Sequence, residues 1–144
     1  MALFKHLLVP SDFEACSRHA LDRAIAMANA FSAELTLLHV WEPPVYPYVV
    51  PASPDYVTVI EEAVKTKLAE EVQSAAARFP RLRSELRMGV VWKEIVAAIE
   101  ALGVDLVVMG THGRRGLEHA LLGSVSEKVV RMSKVSVLTV PAAS

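Results

Sequence analysis

The strongest constraint in this chain is a repeated change of apolar period. Short, largely β-branched and leucine runs alternate with longer stretches in which apolar residues recur every three or four positions. The short runs are His6-Leu7-Leu8-Val9, Leu35 to Val40, Glu85 to Met88, Leu106 to Met109 and Val135 to Val140. Between them lie four helical stripes. The first carries Leu21, Ile25 and Ala28, and the second Ile60, Val64, Leu68, Val72 and Ala76, with Phe79 extending it. The third carries Ile95, Val96, Ile99 and Leu102, and the last Val125, Val129 and Met132. Nearly continuous apolar runs suit strands buried on both faces, and apolar stripes suit the helices that cover them. Strand and helix therefore alternate from the first run to the last, which predicts an α/β fold around a parallel sheet. Right-handed crossovers allow a doubly wound sheet whose order reverses between the first and fourth strands. Such a reversal opens a crevice at the carboxyl ends of those strands, where ligands bind.

Composition narrows the class. With 144 residues, 53% of them hydrophobic, the chain has material for one continuous core, so a single domain over residues 1–144 is expected. No uninterrupted apolar run approaches the roughly 18–20 residues of a membrane span. The apolar N-terminal stretch is too soon followed by Ser11 and Asp12 to act as a signal peptide. Cys16 is the one cysteine, which rules out an intrachain disulfide and fits a reducing, cytoplasmic setting. Fifteen basic against 16 acidic side chains give no positive excess of the kind that drives binding to nucleic acid or an anionic membrane. An anionic ligand would have to be held locally. The segment from Glu42 to Asp55, with Pro43, Pro44, Pro47, Pro51 and Pro54 beside Tyr46 and Tyr48, reads as an exposed loop on the crevice side.

The segment after the fourth strand is the one that speaks of chemistry. Gly110, Gly113 and Gly116 are three of the chain's six glycines, and Gly123-Ser124 follows where the last helix begins. Glycine lets backbone N–H groups approach an anion, and a helix N-terminus adds unpaired donors and a favourable dipole. Ser124 and Ser126 offer hydroxyls, and Arg114 and Arg115 offer charge. The spacing is neither a Walker A loop nor the Gly-x-Gly-x-x-Gly dinucleotide fingerprint. On the residues alone, an anion-binding loop and a merely irregular connection stand about equal.

Gly110-x2-Gly113-x9-Gly123-Ser124 resembles the nucleotide-binding motif of ATP-binding universal stress proteins, and the similarity runs over nearly the whole chain. Leu8 to Asp12 resembles the family's first strand and Asp-bearing turn, Leu37 to Val40 its second strand, and Asp105 to Gly113 its fourth strand and turn. The resemblance implies a Rossmann-like five-stranded sheet, order 3-2-1-4-5, with helices on both faces. It implies that Pro10, Ser11, Asp12 and Val40 surround a nucleoside, with Met109 and Gly110 near the ribose. Gly113, Gly123, Ser124, Val125 and Ser126 would hold the phosphates of ATP, and magnesium or manganese would be held by those phosphates rather than by protein ligands. Two departures stand out. Trp92 follows Gly89-Val90-Val91 where the family commonly has a proline opening the third helix, and Ser133-Lys134 replaces a Cys-Pro-like pair before the last strand.

Other candidates have plainer readings. Ser11-x-x-Glu14 fits a capping box, which would make Asp12 a first-turn acid, although that use and a ligand role can coexist. His39 and His112 stand outside any metal-ligand spacing and are expected to be structural or rim residues. Cys16 is expected in the core, and no nucleophile motif or catalytic residue is assigned. The reading is therefore a nucleotide-dependent regulatory protein of the stress response. Slow ATP hydrolysis or nucleotidyl transfer on the same fold, and an interaction module independent of nucleotide, are the alternatives. The apolar last strand, 135–140, would be an open sheet edge, which predicts a homodimer through that strand.

Overall fold

The computed structural model describes residues 3–43, 54–112 and 122–142. All five expected strands and four helices form, in the expected order. They are β1 (His6–Pro10), α1 (Ala15–Phe31), β2 (Glu34–Trp41), α2 (Pro54–Ala75), β3 (Arg83–Met88), α3 (Val91–Leu102), β4 (Leu106–Gly110), α4 (Ser124–Met132) and β5 (Ser136–Val140). The strands make one parallel sheet in the order β3-β2-β1-β4-β5.

Alternation along the strands decides which helix covers which face. Leu7, Val9, Leu35, Leu37, Leu106 and Val108 enter one cluster with Ala20, Leu21, Ala24, Ile25 and Ala28 of α1 and Leu68 and Ala75 of α2. Leu8, Leu38, Val40, Val107 and Met109 enter another with Ile95, Ala98 and Ile99 of α3 and Val129 of α4. Helices α1 and α2 therefore cover one face, and α3 and α4 the other. The predicted stripes hold with two adjustments. In α2 the fully buried position of the last turn is Ala75 rather than Ala76, with Phe79 buried just beyond the helix. In α4, Met132 is 48% exposed, because Ser126 and Val129 take the inward face of this short helix.

The end of the sheet away from the crevice is tied by side chains. The Asp105 carboxylate accepts hydrogen bonds from the backbone N–H groups of Lys5 and His6. Buried His6 lies between the Leu102 carbonyl, 3.1 Å from Nδ1, and the Thr36 hydroxyl, 2.8 Å from Nε2. The turn from α4 into β5 is closed by Ser133, whose hydroxyl donates to the Val135 carbonyl at 2.8 Å and accepts from the Val135 N–H at 3.1 Å. The serine thus supplies the turn geometry before β5.

Helix α1 and strand β4 meet more closely than side chains allow. A Cβ placed on Gly110 would lie 2.6 Å from Cys16 Sγ and 3.2 Å from the Cys16 carbonyl carbon. Gly110 is needed for this approach, and half-buried Cys16 is its counterpart. Gly110→Ala is expected to destabilise the fold by roughly 1–3 kcal/mol, the usual range for overpacking. Cys16→Ala in the same chain should recover part of that loss, and urea unfolding of the two single variants and the double variant measures the coupling.

Candidate functional site

A cavity of about 530 Å³ opens at the carboxyl ends of β1, β2 and β4, on the face covered by α3 and α4. It sits where the strand order reverses, because β1 is hydrogen-bonded to β2 on one side and to β4 on the other. Pro10, Ser11, Asp12, Val40, Met109, Gly110, Gly123, Ser124, Val125 and Ser126 all line it. These are ten of the eleven positions singled out in the sequence; Gly113, with Arg114 and Arg115, falls outside the described residues. Leu38, Val91 and Ile95 complete an apolar wall; His112, expected to be a structural or rim residue, lines the cavity, and Ser17 adds a polar group that sequence reasoning did not place there. His112 Nδ1 lies 3.1 Å from the Thr111 hydroxyl oxygen.

The turn after β1 forms the polar side. Its backbone is unusual: Phe13 has φ 67°, a left-handed conformation that an aromatic residue adopts only when its surroundings impose it. Three contacts impose it. The Phe13 N–H donates to Ser11 Oγ at 3.1 Å, the Phe13 carbonyl accepts from the Arg18 guanidinium at 2.6 Å, and the Phe13 ring stacks on His39 with centroids 4.1 Å apart. The capping box suggested by Ser11 and Glu14 does not form, since α1 starts only at Ala15 and Ser11 Oγ reaches Phe13 instead. Asp12 Oδ1 accepts from the Glu14 N–H and from the Ser17 hydroxyl, both at 3.0 Å. Asp12 is therefore not a first-turn acid of α1, which begins three residues later; its carboxylate shapes the turn before the helix and lines the cavity.

Two titratable groups brace this turn from behind. His39 on β2 has Nδ1 2.7 Å from the Ser11 carbonyl; a carbonyl only accepts, so Nδ1 carries the proton. Burial holds the His39 imidazole below its ordinary pKa, against the opposing pulls of this hydrogen bond and of Asp12. Glu71 on α2 accepts from the Ser11 hydroxyl, at 3.2 Å to Oε1 and 3.1 Å to Oε2. Burial pushes its carboxyl above the ordinary carboxylate range, opposed by that hydrogen bond and by Arg18.

Across the gap, α4 points its N-terminus at the cavity. Gly123 occupies the N-cap with φ −71° and ψ 169°, and no side chain caps the helix. Gly123 therefore needs no left-handed backbone, and its N–H donates to the Thr111 carbonyl at 2.6 Å. The Ser126 hydroxyl donates to the Gly110 carbonyl at 2.8 Å, which ties α4 to β4 and commits that hydrogen. What Ser126 offers the cavity is its oxygen lone pairs and the helix end it anchors. Asp12 is the one carboxylate among the described lining residues, and no lysine or arginine stands among them. Lys93 and Lys128 stand 5.6 and 5.5 Å from the ring centre of Trp92, next to lining residue Val91. Among the described residues no cluster of three or more His, Cys, Asp or Glu side chains is placed to hold a metal ion, and no helix is long and apolar enough to cross a membrane.

This arrangement has clear relatives. The family model described as the universal stress protein family matches residues 3–141. The universal stress protein MJ0531 of Methanocaldococcus jannaschii is 35% identical, over 96% of this chain and 82% of its own. Universal stress protein A homolog 1 of Coxiella burnetii is 31% identical, over 95% of this chain and 96% of its own. Among solved structures, that of MJ0577 aligns with a TM-score of 0.72 at 29% identity, covering 99% of both chains. A universal stress protein solved in complex with cAMP aligns with a TM-score of 0.76 at 25% identity, covering 99% of this chain and 100% of that one. The chain belongs to the universal stress protein family.

Proposed function

We propose that this protein binds ATP in the cavity at the β1/β4 gap and acts as a nucleotide-dependent regulator in the cytoplasm. The observation that carries the reading is the joint presence, in one cavity, of an apolar wall, a carboxylate turn and an uncapped helix N-terminus. Val40, Val91, Ile95 and Met109 suit a flat aromatic base, and Asp12 suits the hydroxyl or amino donors of a nucleoside. The first turn of α4, entered through Gly123, suits phosphate oxygens, for which free N–H groups and the helix dipole are the right partners. The relative solved with cAMP supports a nucleotide as the occupant. A divalent ion accompanying ATP would sit on the phosphates. No residue here is assigned as a general base, and binding rather than turnover is the function claimed.

The chain is also proposed to form a homodimer through β5. This strand pairs with β4 alone, and Leu138, with Val130 and Met132 of α4, leaves apolar surface exposed along that edge of the molecule.

Three outcomes are expected. ATP should raise the thermal midpoint more than AMP or cAMP does; a ligand at a hundred times its dissociation constant stabilises the native state by about 2.7 kcal/mol. Equal shifts from all three would show that the α4 end does not read the polyphosphate. Gly123→Val should weaken ATP binding at least tenfold, about 1.4 kcal/mol, in isothermal titration. Its circular dichroism should remain native, because φ −71° and ψ 169° are open to valine. Sedimentation at micromolar concentration should find a dimer, and Leu138→Glu should shift it to monomer.

A further inference from the structure

The hydroxyl of Ser11 has one hydrogen and two lone pairs to distribute. Phe13 N–H donates to it at 3.1 Å, and both oxygens of Glu71 lie within 3.2 Å as acceptors. Ser17 Oγ is farther, at 3.4 Å, and its own hydrogen faces Asp12 Oδ1 and the Glu14 carbonyl, each at 3.0 Å. The Ser11 hydrogen is therefore drawn to Glu71, and one lone pair of the hydroxyl is left without a partner among these contacts, on a residue that lines the cavity. A helix 60 residues away along the chain thus decides whether Ser11 meets a ligand as acceptor or as donor.

We propose that Glu71 is a positioning residue for the nucleoside end of the cavity: its carboxylate holds Ser11 as an acceptor beside Asp12, so that the turn selects ligands presenting N–H or O–H donors. This rests on the nucleotide reading of the cavity and adds to it the residue that sets the polarity of one wall. Protonation of Glu71 reverses the relation. The carboxylic acid then donates to Ser11 Oγ, and the Ser11 hydrogen turns toward Ser17 or the cavity, where it opposes a donor on the ligand.

The groups acting on Glu71 are Ser11 and Asp12 of the turn and Arg18 of α1; His39 of β2 braces the same turn and is acted on by Asp12 and by Lys67, one helical turn before Glu71 on α2. Burial raises the Glu71 pKa above the ordinary 4.5, so its proton is held more tightly in the fold than in the unfolded chain. The stability this contributes is complete below the unfolded value and is lost as pH rises through the folded one. At neutral pH the ionised carboxylate therefore lowers stability relative to a neutral isostere, and removing the charge should leave the fold as stable or more so while impairing the ligand. A side chain that only packs gives no such opposition.

The test is titration of ATP into the wild-type protein and Glu71→Gln from pH 8 down to pH 4, below the ordinary carboxylate value, read as the ratio of the two dissociation constants. The ligand's own titration cancels in that ratio. At pH 8 the variant should bind about three- to tenfold more weakly, the worth of one hydrogen bond. The ratio should fall toward one as the pH drops through the Glu71 pKa, and the thermal midpoint of the variant at pH 8 should equal or exceed that of wild type. A ratio of one throughout overturns the assignment, and a ratio above one that does not change with pH reduces Glu71 to packing and overturns it as well. If Glu71→Gln does not fold, Ser11→Ala replaces it and should remove the same pH step; a step that survives in Ser11→Ala overturns the proposal. Wild-type protein that binds no ATP at any pH overturns the nucleotide reading and this inference together, whereas wild-type binding with an unchanged ratio overturns this inference alone.

Discussion

Parallel pairing of β1 with β4 is the constraint on which the site depends. Strand β1 leads into α1, which packs on one face of the sheet, and β4 leads toward α4, which packs on the other. Two chains that leave neighbouring strand ends in opposite directions cannot close over the space between them. Adjacent residues Leu7 and Leu8 already record the split, one entering each apolar cluster. Gly110 stands at the same gap, where the absence of a side chain lets the start of α1 come against β4. The cavity is thus a consequence of topology, and its chemistry depends on what the two departing turns present.

Those turns present opposite polarity. On the β1 side the chain is held in a strained shape, and the left-handed Phe13 is the kind of conformation that costs about 1–3 kcal/mol and persists only under several restraints. Ser11 Oγ, Arg18 and the His39 ring are those restraints. Burial drives His39 and Glu71 toward their neutral forms, lowering the one and raising the other. On the β4 side there is a helix end with no side-chain cap. A ligand with hydrogen-bond donors at one end and negative charge at the other is oriented by this pair of surfaces before any specific contact is counted.

The fold was legible because the apolar period changes eight times along the sequence, and both the strand runs and the helical stripes reflect burial that the sheet makes real. The site was legible where the chain itself carries the signal. Gly110, Gly123 and Ser124 stand at strand and helix ends, and Asp12 is the second residue past β1. Glu71 was invisible because it lies among the polar residues of α2, and nothing in its own neighbourhood points to Ser11, 60 positions earlier. His39 was noticed, but its part in shaping the turn depends on a carbonyl 28 residues away and on a ring stack that no local pattern encodes. Ser126 was expected beside the ligand and does line the cavity, but the bond from its hydroxyl to the Gly110 carbonyl could not be read from its spacing. Local spacing identifies residues that backbone geometry brings to the cavity; it does not identify those that reach it by crossing between elements.

The opening of α3 shows how the cavity wall is held without a proline at the start of the helix. A proline near this point would fix φ and bring no N–H to satisfy. Here α3 begins at Val91 behind Val90, which has no capping side chain, so the first-turn donors need acceptors from elsewhere. Glu42, just past the end of β2, supplies one, its Oε1 accepting the Val91 N–H at 3.1 Å. Trp92 packs against the α3/α4 cluster and carries Lys93 and Lys128 over its ring, so a single side chain joins the start of α3 to α4. Val91 and Ile95, the two α3 residues in the cavity wall, are thereby held from both sides. The positions a proline would have set through the backbone are set in this chain by a carboxylate and an indole.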